Sequence, residues 1–159
     1  MNVVILFKEQ FMLFKIKNRF FHCEFFRLNH DVQELGEKGR IFGLEVNFRP
    51  PGGFCPDLMN YAGELDVYRL WAEVILKQQA SYSKLRRYSA GFVGRRNSIK
   101  YRYTVKEIQD MFKEELIDIL YLPEAIAAAM GDVAIVAKFT SPSRRDEFFK
   151  VALKRKDRL

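Results

Sequence analysis

The sequence predicts an α+β fold, and three observations carry that expectation. Residues 41–49, IFGLEVNFR, alternate between apolar Phe42, Leu44, Val46 and Phe48 and a second set, Ile41, Gly43, Glu45, Asn47 and Arg49. That is the period-two signature of a strand. Thr104 and Glu107 stand in the T-x-x-E spacing of a capping box, just ahead of Ile108, Met111 and Phe112, which predicts a helix start. The β-rich run 132–140 lies between an Ala-rich segment closed by Gly131 and a segment opened by Pro142. Hairpins and helices mix here, without the regular alternation of a doubly wound sheet.

Taken in order, residues 8–16 place Phe11, Met12 and Ile16 at helical spacing, so a short helix is expected. Residues 19–28, RFFHCEFFRL, are aromatic-rich and free of breakers, which suits a strand. The polar stretch 29–40, with two glycines, reads as the loop of an antiparallel hairpin joining that strand to 41–49. Residues 50–57, PPGGFCPD, read as a turn-rich loop, because prolines lack a donor and glycines favour irregular backbone. A helix from Asp66 to Gln79 would bury Val67, Leu70, Trp71, Val74 and Ile75 on one face. Further expectations are a strand over 88–95, a helix over 124–130, a strand over 132–140 and a terminal helix begun by Pro142. A boundary near residues 80–88 divides the chain into units of 8–80 and 88–159.

Composition bounds the function. The 159 residues are 48% apolar and 14% aromatic, with 15 Phe, enough for a core and too apolar for disorder. No apolar run nears the ~20 residues that span a bilayer, and Val3–Phe7 lacks the flanks of a signal peptide. Two cysteines, Cys23 and Cys55, make no disulfide framework, so a reduced, cytoplasmic setting is expected. Of 27 basic residues, nine fall between Lys77 and Lys106 with no acidic residue among them, which leaves 18 against 20 acidic elsewhere. Interleaved with Tyr82, Tyr88, Phe92, Tyr101 and Tyr103, that run is either a phosphate- or nucleic-acid-binding surface or a solvated face over packed aromatic stems.

The chemistry concentrates in the hairpin. Glu45, Asn47 and Arg49 on one strand face should stand about 7 Å apart, and cross-strand pairing would bring Glu24 opposite them. Two facing carboxylates repel unless a cation sits between them. Two carboxylates and a carboxamide oxygen are hard donors suited to Mg²⁺, and Arg49 offers a fork to a carboxylate or phosphate. The alternative is a wet strand face, with Glu24 paired to Arg19 or Arg27. His22 shares the face of Glu24 and reads either as a phosphate contact or as a hydrogen-bonded structural histidine. Cys23 reads as a buried thiol on the other face. Asp57 and Asn60 are weaker candidates beside the RPPGG turn, and Phe48 is taken as core.

The segments FFHCEFFRL, LEVNFRPPGG and DLMNYAGELDVYRLWAEVI resemble the C-terminal half of an ATP-grasp domain. Within that superfamily they are similar to proteins related to biotin carboxylase and carbamoyl-phosphate synthase. The resemblance is strongest over residues 8–76, and Ala128–Phe139 is similar to the small appended α+β unit. It implies the C-terminal lobe of an ATP- and Mg²⁺-dependent (or Mn²⁺-dependent) carboxylate ligase working through an acyl-phosphate. By that resemblance Glu24, Glu45 and Asn47 ligate metal, Glu45 and Asn47 also serve the ATP phosphates, and Arg49 orients the carboxylate or its acyl-phosphate. The expected partners are ATP and a carboxylate substrate, with no membrane and no nucleic acid. The sequence holds neither G-x-G-x-x-G nor G-x-x-x-x-G-K-[ST]. With about 18 residues ahead of the first motif strand, the chain is therefore expected to be incomplete, its nucleotide-gripping lobe missing or on a second chain. The alternative function is a non-catalytic binding module that uses the basic stretch 77–106 for nucleic acid or an acidic partner.

Overall fold

A computed structural model of the chain describes residues 19–82 and 87–156. The helix expected over 8–16, together with Lys84 and Arg86, lies outside the described residues. Five strands and five helices run in the order β1 (His22–Arg27), β2 (Ile41–Asn47), α1 (Cys55–Gly63), α2 (Val67–Lys77), β3 (Ser89–Arg95), α3 (Val105–Met111), β4 (Leu116–Tyr121), α4 (Glu124–Met130), β5 (Val133–Phe139) and α5 (Pro142–Ala152). The fold class is α+β, with two small antiparallel sheets. Contacts divide the chain into two units: residues through Pro56 with Val67–Tyr82, and Asp57–Asp66 with the chain from Ser83. Among the described residues, no helix is long and apolar enough to cross a membrane.

The first unit carries the β1–β2 hairpin and α2. Its loop is closed by its own backbone bonds: Leu28 N–H donates to the Arg40 carbonyl at 2.9 Å and Gly39 N–H to the Leu28 carbonyl at 2.8 Å. Inside it, Lys38 N–H donates to Asp31 Oδ1 at 2.7 Å and Arg40 Nη1 to the Leu35 carbonyl at 2.8 Å. Those bonds set the pairing of the strands, in which Glu24 stands opposite Glu45 and His22 opposite Asn47. The expected strict alternation fails at one point. A bulge between Glu24 and Phe25 skips Leu44, so Phe25 pairs with Gly43 rather than with Leu44. The extra residue carries Ile41 and Gly43 out of phase with Glu45 and Asn47. The face expected to be core is also wetter than predicted: Leu44, Val46 and Phe48 keep 51%, 41% and 39% of their surface exposed. A two-stranded ribbon has too little area to seal a face by itself. Helix α2 buries Val67 and Leu70 and half-buries Val74, while Trp71 and Ile75 stay exposed, so the expected stripe is narrower than five residues.

The second unit is built on β5. The strand order β3-β5-β4 places β5 in the middle, antiparallel to both neighbours. The segment β3-α3-β4 is therefore a split βαβ unit with β5 inserted between its strands. Being central, β5 is buried along both faces except at Lys138, which explains the unbroken apolar run from Val133 to Ala137. One face packs with Ile108, Phe112, Phe148 and Ala152 into a core with Ile135 and Phe139. Phe148 sits at its centre, with ring centroids 5.3 Å from Phe112, 5.2 Å from Phe139 and 5.6 Å from Phe149. The capping box of α3 is complete: Glu107 N–H donates to Thr104 Oγ1 at 3.1 Å, and Thr104 N–H donates back to the Glu107 carboxylate at 2.7 Å. Helix α5 opens with Ser141 capping the Arg144 N–H and with Pro142 in its first turn, as expected.

Two elements were not foreseen. Helix α1 begins at Cys55, inside the segment expected to be loop through Asp57. Pro56 falls in its first turn, where no donor is needed, and Asp57 faces the positive end of the helix dipole. Strand β4, LIDILY, is a short apolar run interrupted by Asp118. In the sheet that residue serves the edge, its Oδ1 accepting the Ile119 N–H at 2.8 Å.

Two predictions follow from this packing. A Cβ built on Gly94 would lie 2.0 Å from the Met130 carbonyl oxygen, whereas one on Gly52 meets nothing within 4 Å. Gly94→Ala is expected to lose about 1–3 kcal/mol, read from hydrogen exchange of the β5 amides, and Gly52→Ala to leave them unchanged. The Thr104 N–H and hydroxyl hold the Glu107 carboxyl below its usual range. A depressed folded-state value adds stability above the ordinary glutamate pKa that is lost as pH falls through the folded value. Acid unfolding of Glu107→Gln should therefore show a shallower pH dependence than that of the wild type.

Candidate functional site

The hairpin gathers four polar side chains on one face. Residues directly opposite in an antiparallel pair project to the same side, so His22 and Glu24 of β1 share a face with Asn47 and Glu45 of β2. Asn47 Nδ2 donates to Glu45 Oε1 and lies 3.1 Å from His22 Nε2. On the other side of the ring, His22 Nδ1 lies 3.1 Å from the Arg49 carbonyl oxygen. His22 Nε2 stands 3.6 Å from Glu24 Oε1, and Glu24 is half exposed.

Glu24 pairs with neither Arg19 nor Arg27. Among the described residues, no lysine or arginine forms an ion pair with Glu24 or Glu45. Several other carboxylates do have such partners: Arg144 answers Glu115 and Glu147 at 2.6 and 2.9 Å, and Lys106 answers Asp110 at 2.9 Å. The hairpin thus presents two facing carboxylates and a carboxamide without a protein cation, a donor set of hard oxygens that fits a divalent cation shared with further oxygens. It is not a cage. Among the described residues, no group of three or more His, Cys, Asp or Glu side chains is arranged to hold a metal ion alone.

Arg49 lies two residues beyond the end of β2, and its Nη1 donates to the Pro50 carbonyl at 3.1 Å. The structure therefore brings Glu24, Glu45 and Asn47 together and leaves the Arg49 guanidinium on the adjoining turn. Cys23 pairs across the ribbon with Val46, on the opposite face from Glu24, and burial pushes its thiol pKa up. Cys55 is exposed at the start of α1. Asp57 and Asn60 lie along α1, in the second unit, whereas the four residues belong to the first. Sequence reasoning did not foresee the part played by His22 as the neighbour of Asn47. The signal was its even spacing from Glu24, which puts both on one face.

The described members of the basic run include cations in exposed ion pairs and two arginines held by the fold. Lys77 pairs with Glu73 at 3.9 Å, Arg87 with Glu64 at 3.3 Å and Lys106 with Asp110 at 2.9 Å. Arg96 caps the end of α4 through the Ala127 and Ala128 carbonyls, at 3.4 and 2.8 Å. Arg95 is buried: its Nη2 donates to the Tyr103 carbonyl at 2.7 Å and its guanidinium lies 3.9 Å from the Tyr101 ring centroid. Desolvation lowers its pKa from the usual arginine range.

Compared with protein-family models, curated proteins and solved structures, the chain finds no match in any of the three.

Because Glu24 and Glu45 face each other without a partner cation, Glu24→Gln is expected to raise the melting temperature of the metal-free chain slightly. The gain should shrink as salt is raised from ~0.01 M to ~1 M, over which the screening length falls about tenfold. Thermal unfolding at the two salt concentrations reads both effects.

Proposed function

We propose that the β1–β2 hairpin is the metal- and phosphate-facing surface of an ATP-dependent carboxylate ligase, one lobe of an ATP-grasp-type active site. The observation that supports this reading is the pairing of Glu24 with Glu45, with Asn47 beside them on the same face. Glu24 and Glu45 hold a divalent cation from opposite strands, and Asn47 adds its carboxamide oxygen. When bound, Mg²⁺ or Mn²⁺ supplies neutralisation of the phosphate charge. Arg49, on the turn that leaves the site, orients the carboxylate that receives the phosphoryl group, or the acyl-phosphate formed from it.

The chain supplies only part of what phosphoryl transfer needs. Magnesium keeps several waters and is commonly held by one or two carboxylates together with substrate phosphates, which matches a two-glutamate face without a cage. The sequence offers no glycine-rich phosphate loop. The groups that grip ATP come, on this reading, from a complementary lobe in the same polypeptide or on a second chain. The engagement of Arg95 and Arg96 by backbone carbonyls withdraws two of the run's cations from the alternative of a nucleic-acid surface.

The test is Mn²⁺-dependent ATP binding, followed by equilibrium dialysis. The chain is expected to bind Mn²⁺ weakly alone, more tightly with ATP, and not to consume ATP with any carboxylate. Glu45→Gln should reduce metal-dependent ATP binding at least tenfold, and Cys23→Ser, on the opposite face, should not change it. Robust turnover by the isolated chain, or ATP binding indifferent to Glu45→Gln, would overturn the proposal.

A further inference from the structure

Asn47 is a ligand by its oxygen and a donor by its nitrogen, so its usefulness depends on which end of the amide faces outward. The neighbours of His22 settle that choice. A main-chain carbonyl accepts hydrogen bonds and cannot donate one, so the ring nitrogen 3.1 Å from the Arg49 carbonyl, Nδ1, carries the proton. In the neutral ring Nε2 is then a bare acceptor. The Asn47 atom 3.1 Å from it must be a donor, which makes it Nδ2. The second hydrogen of Nδ2 goes to Glu45 Oε1. Both amide hydrogens are thereby used, and Oδ1 is left as the free end of the side chain. Turned the other way, the amide would set Oδ1 against the His22 lone pair and the Glu45 carboxylate at once, two acceptors facing an acceptor.

From this chain of bonds we infer that His22 is a positioning residue: anchored by the Arg49 carbonyl in its Nδ1–H form, it locks the Asn47 carboxamide so that Oδ1 stays available to the cation. The inference rests on the metal-binding reading of Glu24, Glu45 and Asn47 and adds what orients the third donor. Side chains that hydrogen-bond a metal ligand hold it in its productive orientation, and their loss commonly lowers metal affinity 10–100-fold. The arrangement also links the turn to the site, since the carbonyl that fixes the ring belongs to Arg49, the residue assigned to the substrate carboxylate. Glu24 is not part of the lock. At 3.6 Å from His22 Nε2 it is beyond hydrogen-bond range.

Two readouts on the full chain test this. The first needs no metal: long-range ¹H–¹⁵N spectra of the His22 ring report its tautomer. A ring protonated at Nδ1 with Nε2 bare is expected, and an Nε2–H ring would overturn the inference whatever the metal does. The second is Mn²⁺ affinity in the presence of ATP, followed by electron paramagnetic resonance. His22→Phe should weaken it about tenfold or more, and Asn47→Ala should do the same. The double variant should be no weaker than either single one, because both remove the same oriented oxygen. His22→Gln, whose side-chain oxygen can accept from Asn47 Nδ2, should recover affinity to within about threefold of wild type. Amide shift dispersion over β1 and β2 checks that each variant keeps the hairpin. Additive losses, or His22→Phe binding like wild type while Glu45→Gln does not bind, would overturn the positioning role and leave the metal reading standing. Wild-type affinity that is unchanged in Glu45→Gln would overturn the metal reading, and the positioning role with it.

Discussion

Everything at the candidate site depends on the register of β1 against β2. Side chains alternate with a period of two, so a slip of one residue would send Glu45 and Asn47 to the face of Cys23 and leave Glu24 opposite an apolar residue. The closed loop from Leu28 to Arg40 prevents that slip with paired backbone bonds at its base and side-chain bonds across its interior. The bulge at Leu44 matters equally, because it resets the phase of β2 immediately before Glu45. Below the bulge the ribbon pairs Phe26 with Phe42; above it the same face carries carboxylates, an imidazole and a carboxamide. A loop that fixes pairing and a bulge that re-aims the strand are together sufficient to build a polar face on an otherwise aromatic ribbon.

The two units hold themselves together in different ways, and that bears on where chemistry can sit. The second unit is a packed core around Phe148 and a central strand buried on both faces. Three of its arginines are engaged by the fold. Arg144 donates to the Met111 carbonyl and bridges Glu115 and Glu147, and its bonds to those two carboxylates raise its pKa beyond the usual arginine value. Arg95 and Arg96 secure backbone carbonyls. The first unit leaves Glu24 and Glu45 facing each other without a cation, on an exposed ribbon.

How far the sequence was legible follows from the same physics. Strands β1 and β2, the pairing of Glu24 with Glu45, the Thr104–Glu107 box and helix α4 ending at Gly131 could all be read, because each rests on local periodicity or on a cap within four residues. The bulge could not, since Leu44 fits an alternating pattern whether it is paired or extruded. Helix α1 was hidden by Pro56, a residue that breaks helices in their interior and is at home in their first turn. Strand β4 was hidden by Asp118, whose carboxylate serves the sheet edge. The exposure of Leu44, Val46 and Phe48 was illegible for a different reason: alternation reports which residues share a face, and not whether anything covers it. His22 was seen as a neighbour of Glu24, but its hold on Asn47 depends on register and on the Arg49 carbonyl, which only the folded chain brings within reach.

The central claim is that one face of the hairpin, and not the other, receives a divalent cation in the presence of ATP. Paramagnetic broadening by Mn²⁺ and ATP, mapped on side-chain carbon signals, tests it most directly. The account predicts that the carboxyl carbons of Glu24 and Glu45 and the carboxamide carbon of Asn47 broaden first and together, with the Val46 methyls on the opposite face affected far less. Broadening centred on the acidic groups of the second unit, or equal on both faces of the ribbon, would contradict it.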